Sequence, residues 1–356
     1  MKLIASILAF LTLCSCGGRS EVRGMVSEIL TDTIPVRTLP DTITVAVVGD
    51  IMMGTDYPSV ALPPENGKHL FDDCKDVLRN ADVAAGNLEG ILGTYGKCRK
   101  DVSRPLSFAF RMPPALGPNL VDAGFDFMNL ANNHINDFFK EGIDETCANL
   151  DDLGIAYAGL ERSPYAIREL NGIRFGFCSF GHESYELCNY DYERIGSILA
   201  ALRDSCDIVL VGFHGGAEGE SVQHLPDKEE YFCGENRGHL RKFAHFCIDN
   251  GADVVFGSGP HVTRAVELYK GHFIAYSLGN FCAPYGLGSS GVKGYAPVVE
   301  IKISPEGTYL DGTIHSLVQV RGVGPRKDKS GAPAKKIMEL TRADIAPENI
   351  PDIKLN

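Results

Sequence analysis

Seven apolar runs, almost without polar alternation, constrain this chain more than any other feature. They are ITVAVVG (43–49), DVAAG (82–86), FDFMNL (125–130), IRFGFCSF (173–180), DIVLVGF (207–213), DVVF (253–256) and FIAYSL (273–278). Runs rich in Val, Ile and Phe that do not alternate belong to strands covered on both faces. Between them lie stretches of helical periodicity around 68–80, 114–123, 141–153, 193–205 and 236–250. Strands alternating with helices predict an α/β fold with parallel or mixed sheets and helices on the outside. After Gly294 the segments PVVEIKI and TIHSLVQVRG, separated at Pro305-Glu306-Gly307, predict an antiparallel addition to a sheet. With 44% apolar and 22% charged residues and no internal repeat, one large domain is expected.

The way these runs end is informative. Asp50 follows the first, Asn87 and Glu89 the second, and Asn132, Asn133 and His134 the third; His214 and Glu218, then His261, then Asn280 follow later ones. In an open α/β sheet the ligand site lies beyond the carboxyl ends of the strands, so these side chains can converge. Taken singly, each has an ordinary reading as a helix cap or turn residue. Together they are the donor set of a divalent metal site or of an acid/base site without metal.

The amino terminus carries an address. Residues 1–15 combine Lys2, a short apolar run and a small residue before cysteine, which predicts a signal peptide. Leu13-Cys14-Ser15-Cys16 resembles a bacterial lipobox, which implies acylation of Cys16 and a membrane-tethered protein of the cell envelope. Residues 16–41 read as the lipidated terminus and flexible tether, 42–322 as the folded domain, and 323–356 as an extension with a short helix. The net charge of −12 and the lack of a long basic cluster exclude nucleic acid as an expected partner. Of 11 cysteines, nine follow Cys16, and Cys147, Cys178 and Cys247 read as small buried hydrophobes.

The blocks GDIMMG, NLEG, NLANNH, HGGAE, GADVVFGSGPHV and IAYSLGNF, in this order over about residues 43–282, resemble the bacterial capsule synthesis CapA family, linked to poly-γ-glutamate synthesis and export. That family is similar to the calcineurin-like metallophosphoesterases, which implies a sandwich of mixed sheets flanked by helices with a metal centre at the strand ends. By the resemblance, Asp50 is the aspartate of the first metal block and Asn87 stands where a bridging aspartate is usual. Asn133 and His134 match an asparagine ligand and a catalytic histidine, and His214 and His261 match later ligands. Met52 stands where a ligand histidine is usual, and Ser258, Gly259 and Pro260 replace a second late one. The resemblance therefore implies at most a single divalent ion, Mn, Zn, Fe or Mg, held by some of Asp50, Glu89, Asn133, His214, Glu218 and His261.

Three functions follow as expectations. The first is metal-dependent hydrolysis or transfer on an anionic polymer or its precursor, with Asp50, Glu89 and His134 catalytic and Asn87, Asn132 and Asn280 contacting substrate. The second is a non-catalytic protein that binds the polymer or helps synthesis and export proteins assemble it. The third is a two-carboxylate glycosidase built on Asp50 and Glu89.

Overall fold

The computed structural model describes residues 39–285 and 287–356, which form one compact unit from Leu39 to Asn356. The expected signal peptide, Cys16 and most of the tether lie outside the described residues.

Two mixed sheets face each other. In the first, strand order is Lys354–Leu355, Tyr309–His315, Val298–Ile303, Ile43–Ile51, Val83–Leu88, Phe127–Asn129, Ala156–Ala158, with Asn280–Cys282 added beside the end of Ile43–Ile51. In the second it is Val266–Tyr269, His272–Ala275, Val254–Ser258, Ile208–His214, Ile173–Phe180, Tyr165–Leu170. In the first sheet Ile43–Ile51 through Ala156–Ala158 pair in parallel, Val298–Ile303 pairs antiparallel with both Ile43–Ile51 and Tyr309–His315, and Lys354–Leu355 adds in parallel. In the second the four inner strands are parallel and the two edge strands antiparallel. The added antiparallel strands fall where the carboxyl-terminal segments predict them.

Strand periodicity explains the layering. Ile43, Val45 and Val47 point inward with Phe127, Phe175, Phe177, Leu210 and Phe256 to form the core between the sheets. Phe127 and Phe177 stack across this layer with ring centroids 4.6 Å apart. Ala46 and Val48, on the opposite face, pack under the helices Lys75–Asn80, Pro118–Ala123 and Phe139–Leu153. The outer face of the second sheet is covered by Tyr192–Arg203 and Leu240–Asp249. Each central strand is thus buried on both sides, which is why its sequence does not alternate.

Three boundaries differ from expectation. The helix read from 236 begins at Leu240, because Glu235–Gly238 pairs as a hairpin with Glu230–Phe232 and the His239 side chain caps the helix. The run TIHSLVQVRG is divided: Tyr309–His315 ends in the first sheet, and Leu317–Val320 pairs with Gly324–Lys327. The carboxyl-terminal segment is no appendage. Its helix, Ala332–Asp344, inserts Ala334, Ile337 and Met338 into the inter-sheet core, and Lys354–Leu355 joins the first sheet. Residues 323–356 therefore complete the domain as the strand Gly324–Lys327, the helix and the short strand Lys354–Leu355.

Among the described residues, no helix is long and apolar enough to cross a membrane. The nine cysteines there are free thiols, with Cys147, Cys178 and Cys247 buried.

Candidate metal centre and cavity

The first strand delivers Asp50 to the meeting point of the two sheets. The chain at Asn280–Cys282 runs so close that a Cβ on Gly49 would lie 1.9 Å from the Gly279 carbonyl oxygen. Glycine at 49 therefore permits the approach that lets the Asp50 amide donate to Gly279 O at 2.8 Å. The neighbouring strand, parallel to the first and in register from Asp50 to Asn87, brings Asn87 alongside and Glu89 just past its end. His214 ends its strand in the facing sheet.

These four side chains meet in a buried knot. The Asn87 amide nitrogen donates to Asp50 Oδ1 at 2.8 Å and to Glu89 Oε2 at 2.6 Å. His214 Nδ1 lies 3.4 Å from Glu89 Oε2, 3.7 Å from Asp50 Oδ1 and 3.1 Å from Ser258 Oγ. Asp50, Glu89 and His214 are fully buried, and their donor atoms lie within 4.8 Å of one another. Burial, followed by the Asp50 charge, pushes the Glu89 carboxyl well above the usual carboxylate range. Burial likewise holds His214 well below the usual imidazole range, reinforced by His182 and His261. Glu89 Oε1 and His214 Nε2 are buried without a hydrogen-bond partner. Two carboxyls and an imidazole with unpartnered atoms in a buried site fit a borderline or hard divalent cation.

Two imidazoles separate this knot from a cavity of about 680 Å³. His261 Nδ1 lies 3.0 Å from Asp50 Oδ2 and 2.9 Å from Asn280 Oδ1. Burial works against its charge, but the bond to Asp50 and the Asp50, Glu89 and Glu218 charges raise it to about 10. His134 Nε2 lies 3.8 Å from Glu89 Oε1, while its Nδ1 lies 2.7 Å from Asp137 Oδ2. Burial holds His134 below the usual imidazole range. Asp137 is buried too, yet the His134 and Lys100 charges keep its carboxyl below the usual value; Lys100 Nζ sits 2.6 Å from its other oxygen. The aspartate accepts at Nδ1, so neutral His134 turns an Nε2 lone pair towards the knot and cavity.

The sequence-predicted residues thus divide. Asp50, Glu89 and His214 converge, and His261 bonds the knot from the cavity side. Glu218 stands apart: Arg237 holds it at 3.0 Å, and it reaches His261 Nε2 only at 3.9 Å. Asn133 lines the cavity, its Oδ1 buried without a partner. Asn87, Asn132 and Asn280, expected to contact substrate, are not among the cavity-lining residues. Their amides are committed within the protein: Asn132 donates to Asn87 Oδ1 and Leu88 O, and Asn280 donates to Gly288 O and Lys293 O. They brace the knot. The glycosidase arrangement is not present, because the Asn87 amide fills the gap between Asp50 and Glu89 and neither carboxyl reaches the cavity.

Sequence reasoning missed Asp137 and Lys100. Asp137 lies three residues after His134 in NNHIND, a spacing that puts an acid within reach of an imidazole in a tight turn; Lys100 comes from a distant loop and left no local signal. It also missed the cavity walls. Arg99, Lys293, Phe108, Phe110 and Phe232 face the space, and Phe110 packs on the His134 ring at 4.3 Å between centroids.

The family described as "Bacterial capsule synthesis protein PGA_cap" matches residues 44–285. The chain is 27% identical over 272 residues to the PGA biosynthesis protein CapA of Bacillus subtilis (strain 168), covering 72% of this chain and 67% of that protein. It is 27% identical over 270 residues to the capsule biosynthesis protein CapA of Bacillus anthracis, covering 68% and 60%. Among solved structures, a 5'-nucleotidase precursor from Thermus thermophilus superposes with a TM-score of 0.44 at 12% identity, covering 85% of this chain and 59% of that one.

Proposed function

Because the chain belongs to the PGA_cap family of bacterial capsule synthesis proteins, we propose that it acts in synthesis or export of a capsular, poly-γ-glutamate-type anionic polymer. In this reading it is a metal-dependent hydrolase or transferase, tethered to the cell envelope through acylated Cys16 and working beside other polymer synthesis or export proteins. The observation that carries it is the Asp50–Glu89–His214 donor set lying directly behind His134 at the floor of a cavity that also presents Arg99 and Lys293.

Asp50, Glu89 and His214 would hold the ion, with His261 or Asn133 adding a donor from the cavity side. A divalent ion supplies Lewis acidity there. His134, neutral and oriented by Asp137, takes a proton at Nε2 before it gives one to a leaving group, and Asp137 stabilises the imidazolium between the two steps. Arg99 and Lys293 attract the anionic polymer, and Phe108 and Phe110 give its backbone an apolar wall.

One observation favours the non-catalytic alternative. The Asn87 amide nitrogen already cross-links Asp50 and Glu89, so a neutral group does the holding that a cation would do. Metal content decides between them. Chelator-washed full-length protein should take up Mn²⁺ or Zn²⁺, Asp50→Asn and Glu89→Gln should each bind one equivalent fewer than the parent, and metal-loaded parent should shorten or transfer poly-γ-glutamate on a sizing gel. Protein that takes up no ion and leaves the polymer unchanged would leave only the binding role.

A further inference from the structure

A second group of donors lies beside the first and takes no part in it. His182 and Glu183 follow the strand Ile173–Phe180, and Glu235 opens the strand Glu235–Gly238; one ligand atom from each lies within 4.8 Å of the others. The His182 side chain is only 1% exposed. Its Nδ1 lies 3.4 Å from the backbone carbonyl of His214, an oxygen that can only accept, so the proton belongs on Nδ1. Nε2 then carries a lone pair. It is buried, makes no hydrogen bond, and faces Glu235 Oε2 at 3.7 Å, beyond hydrogen-bond length. In the neutral ring that lone pair faces a carboxylate with nothing between them, an unfavourable arrangement that either a proton or a metal cation relieves.

This is the arrangement that ligating histidines adopt, one nitrogen fixed by a backbone carbonyl and the other free for the ion. We propose that His182, Glu183 and Glu235 form a second divalent-cation site, suited to Zn²⁺ or Mn²⁺. Glu183 and Glu235 line the cavity, so the ion has an open coordination position facing it. Arg237 Nη2 also pairs with Glu235 Oε2, at 2.8 Å, the same oxygen that faces His182, so an ion would share that oxygen with the guanidinium or take Oε1. The His182 and His214 rings lie 6.2 Å apart between centroids, and the His214 carbonyl orients His182. An ion here places positive charge on the cavity wall next to the first donor set, where an anionic group of a bound chain can meet it. The inference does not require the first set to hold an ion.

The test is metal stoichiometry of full-length protein, chelator-washed, dialysed against Mn²⁺ or Zn²⁺ and measured by mass spectrometry with calorimetric titration. His182→Ala should remove one equivalent, and Glu235→Gln, a change at a half-exposed position, should weaken that equivalent at least about tenfold. Both variants should melt like the parent in chelator. Asp50→Asn keeps the two readings apart: it should leave the His182-dependent equivalent bound whatever happens at the first set. If parent, His182→Ala and Glu235→Gln take up the same number of ions with the same affinity, His182 is only an ion-pair partner of Glu235 and the site does not exist. Should His182→Ala fail to fold, Glu235→Gln decides alone.

Discussion

Asp137 holds His134. One carboxylate oxygen sits 2.7 Å from the imidazole Nδ1, and the other is clamped by Lys100 at 2.6 Å. Asp137→Asn replaces an acceptor with a group that can also donate, so the ring loses its enforced tautomer. We expect the His134 pKa, followed by NMR, to fall further, since the Asp137 charge raises it in the parent. If the polymer chemistry proposed above occurs, its rate should drop roughly a hundredfold or more. An unchanged titration of His134 would show that Asp137 does not set its proton affinity.

Asn87→Asp places a third carboxyl between Asp50 and Glu89, removing the amide that donates to both. Without metal the variant should be less stable by about 1–3 kcal/mol. With Mn²⁺ or Zn²⁺ it should gain more stability than the parent does. Melting curves in chelator and in metal read both effects; a variant equally stable in both conditions counts against a cation site.

Glu186 is buried, neither of its carboxyl oxygens makes a hydrogen bond, and burial followed by the Glu183 charge pushes it well above its ordinary value of 4.5. Folding therefore takes up a proton at this residue. Its contribution is fully present below the ordinary value and is lost as pH rises towards the folded value, by up to about 1.4 kcal/mol per unit. Glu186→Gln keeps the neutral shape, so the parent should lose stability relative to the variant between pH 5 and 8. Denaturation curves for both proteins that run parallel across this range would contradict the assignment.

Ile337 is fully buried in the inter-sheet core although it belongs to the carboxyl-terminal helix. Ile337→Ala should destabilise the whole unit by about 2–5 kcal/mol in one cooperative transition. A separate early transition would mean that the helix is an independent extension.

Cys233 is the one exposed thiol among the described residues; Cys98, Cys188 and Cys206 are half-buried and the other five are buried. Among the described cysteines, labelling of native protein should show one fast thiol, abolished by Cys233→Ser, with the buried five reacting only on unfolding. Several fast thiols in the native state would indicate an open core.

The sequence made the central strands legible because burial on both faces leaves an unbroken apolar run: Ile173–Phe180 falls where IRFGFCSF predicts it. Tyr165–Leu170 left no such mark, since it is an edge strand whose residues are exposed or half-buried. Asp50, Glu89 and His214 were readable as a convergent group because each stands at the carboxyl end of a strand, the first two in one sheet and His214 in the facing one. The substrate role expected of Asn87, Asn132 and Asn280 was not borne out by their position, because position after a strand does not say whether an amide faces solvent or its neighbours. Arg99 and Lys100 come from a loop and Lys293 from the short turn of helix Gly291–Gly294, segments whose course depends on the whole fold. The carboxyl-terminal helix read only as a short helix in an extension, because the core that Ala334, Ile337 and Met338 enter is made by the two distant sheets.

His261, held in a left-handed backbone conformation at φ +56°, gives the knot its own counter-charge. The ring lies across the cavity side of Asp50, its Nδ1 3.0 Å from Oδ2. It is a stopper set in a turn whose backbone angle fixes where it sits. A guest arriving from the cavity would have to swing this imidazole aside before touching the carboxylate behind it.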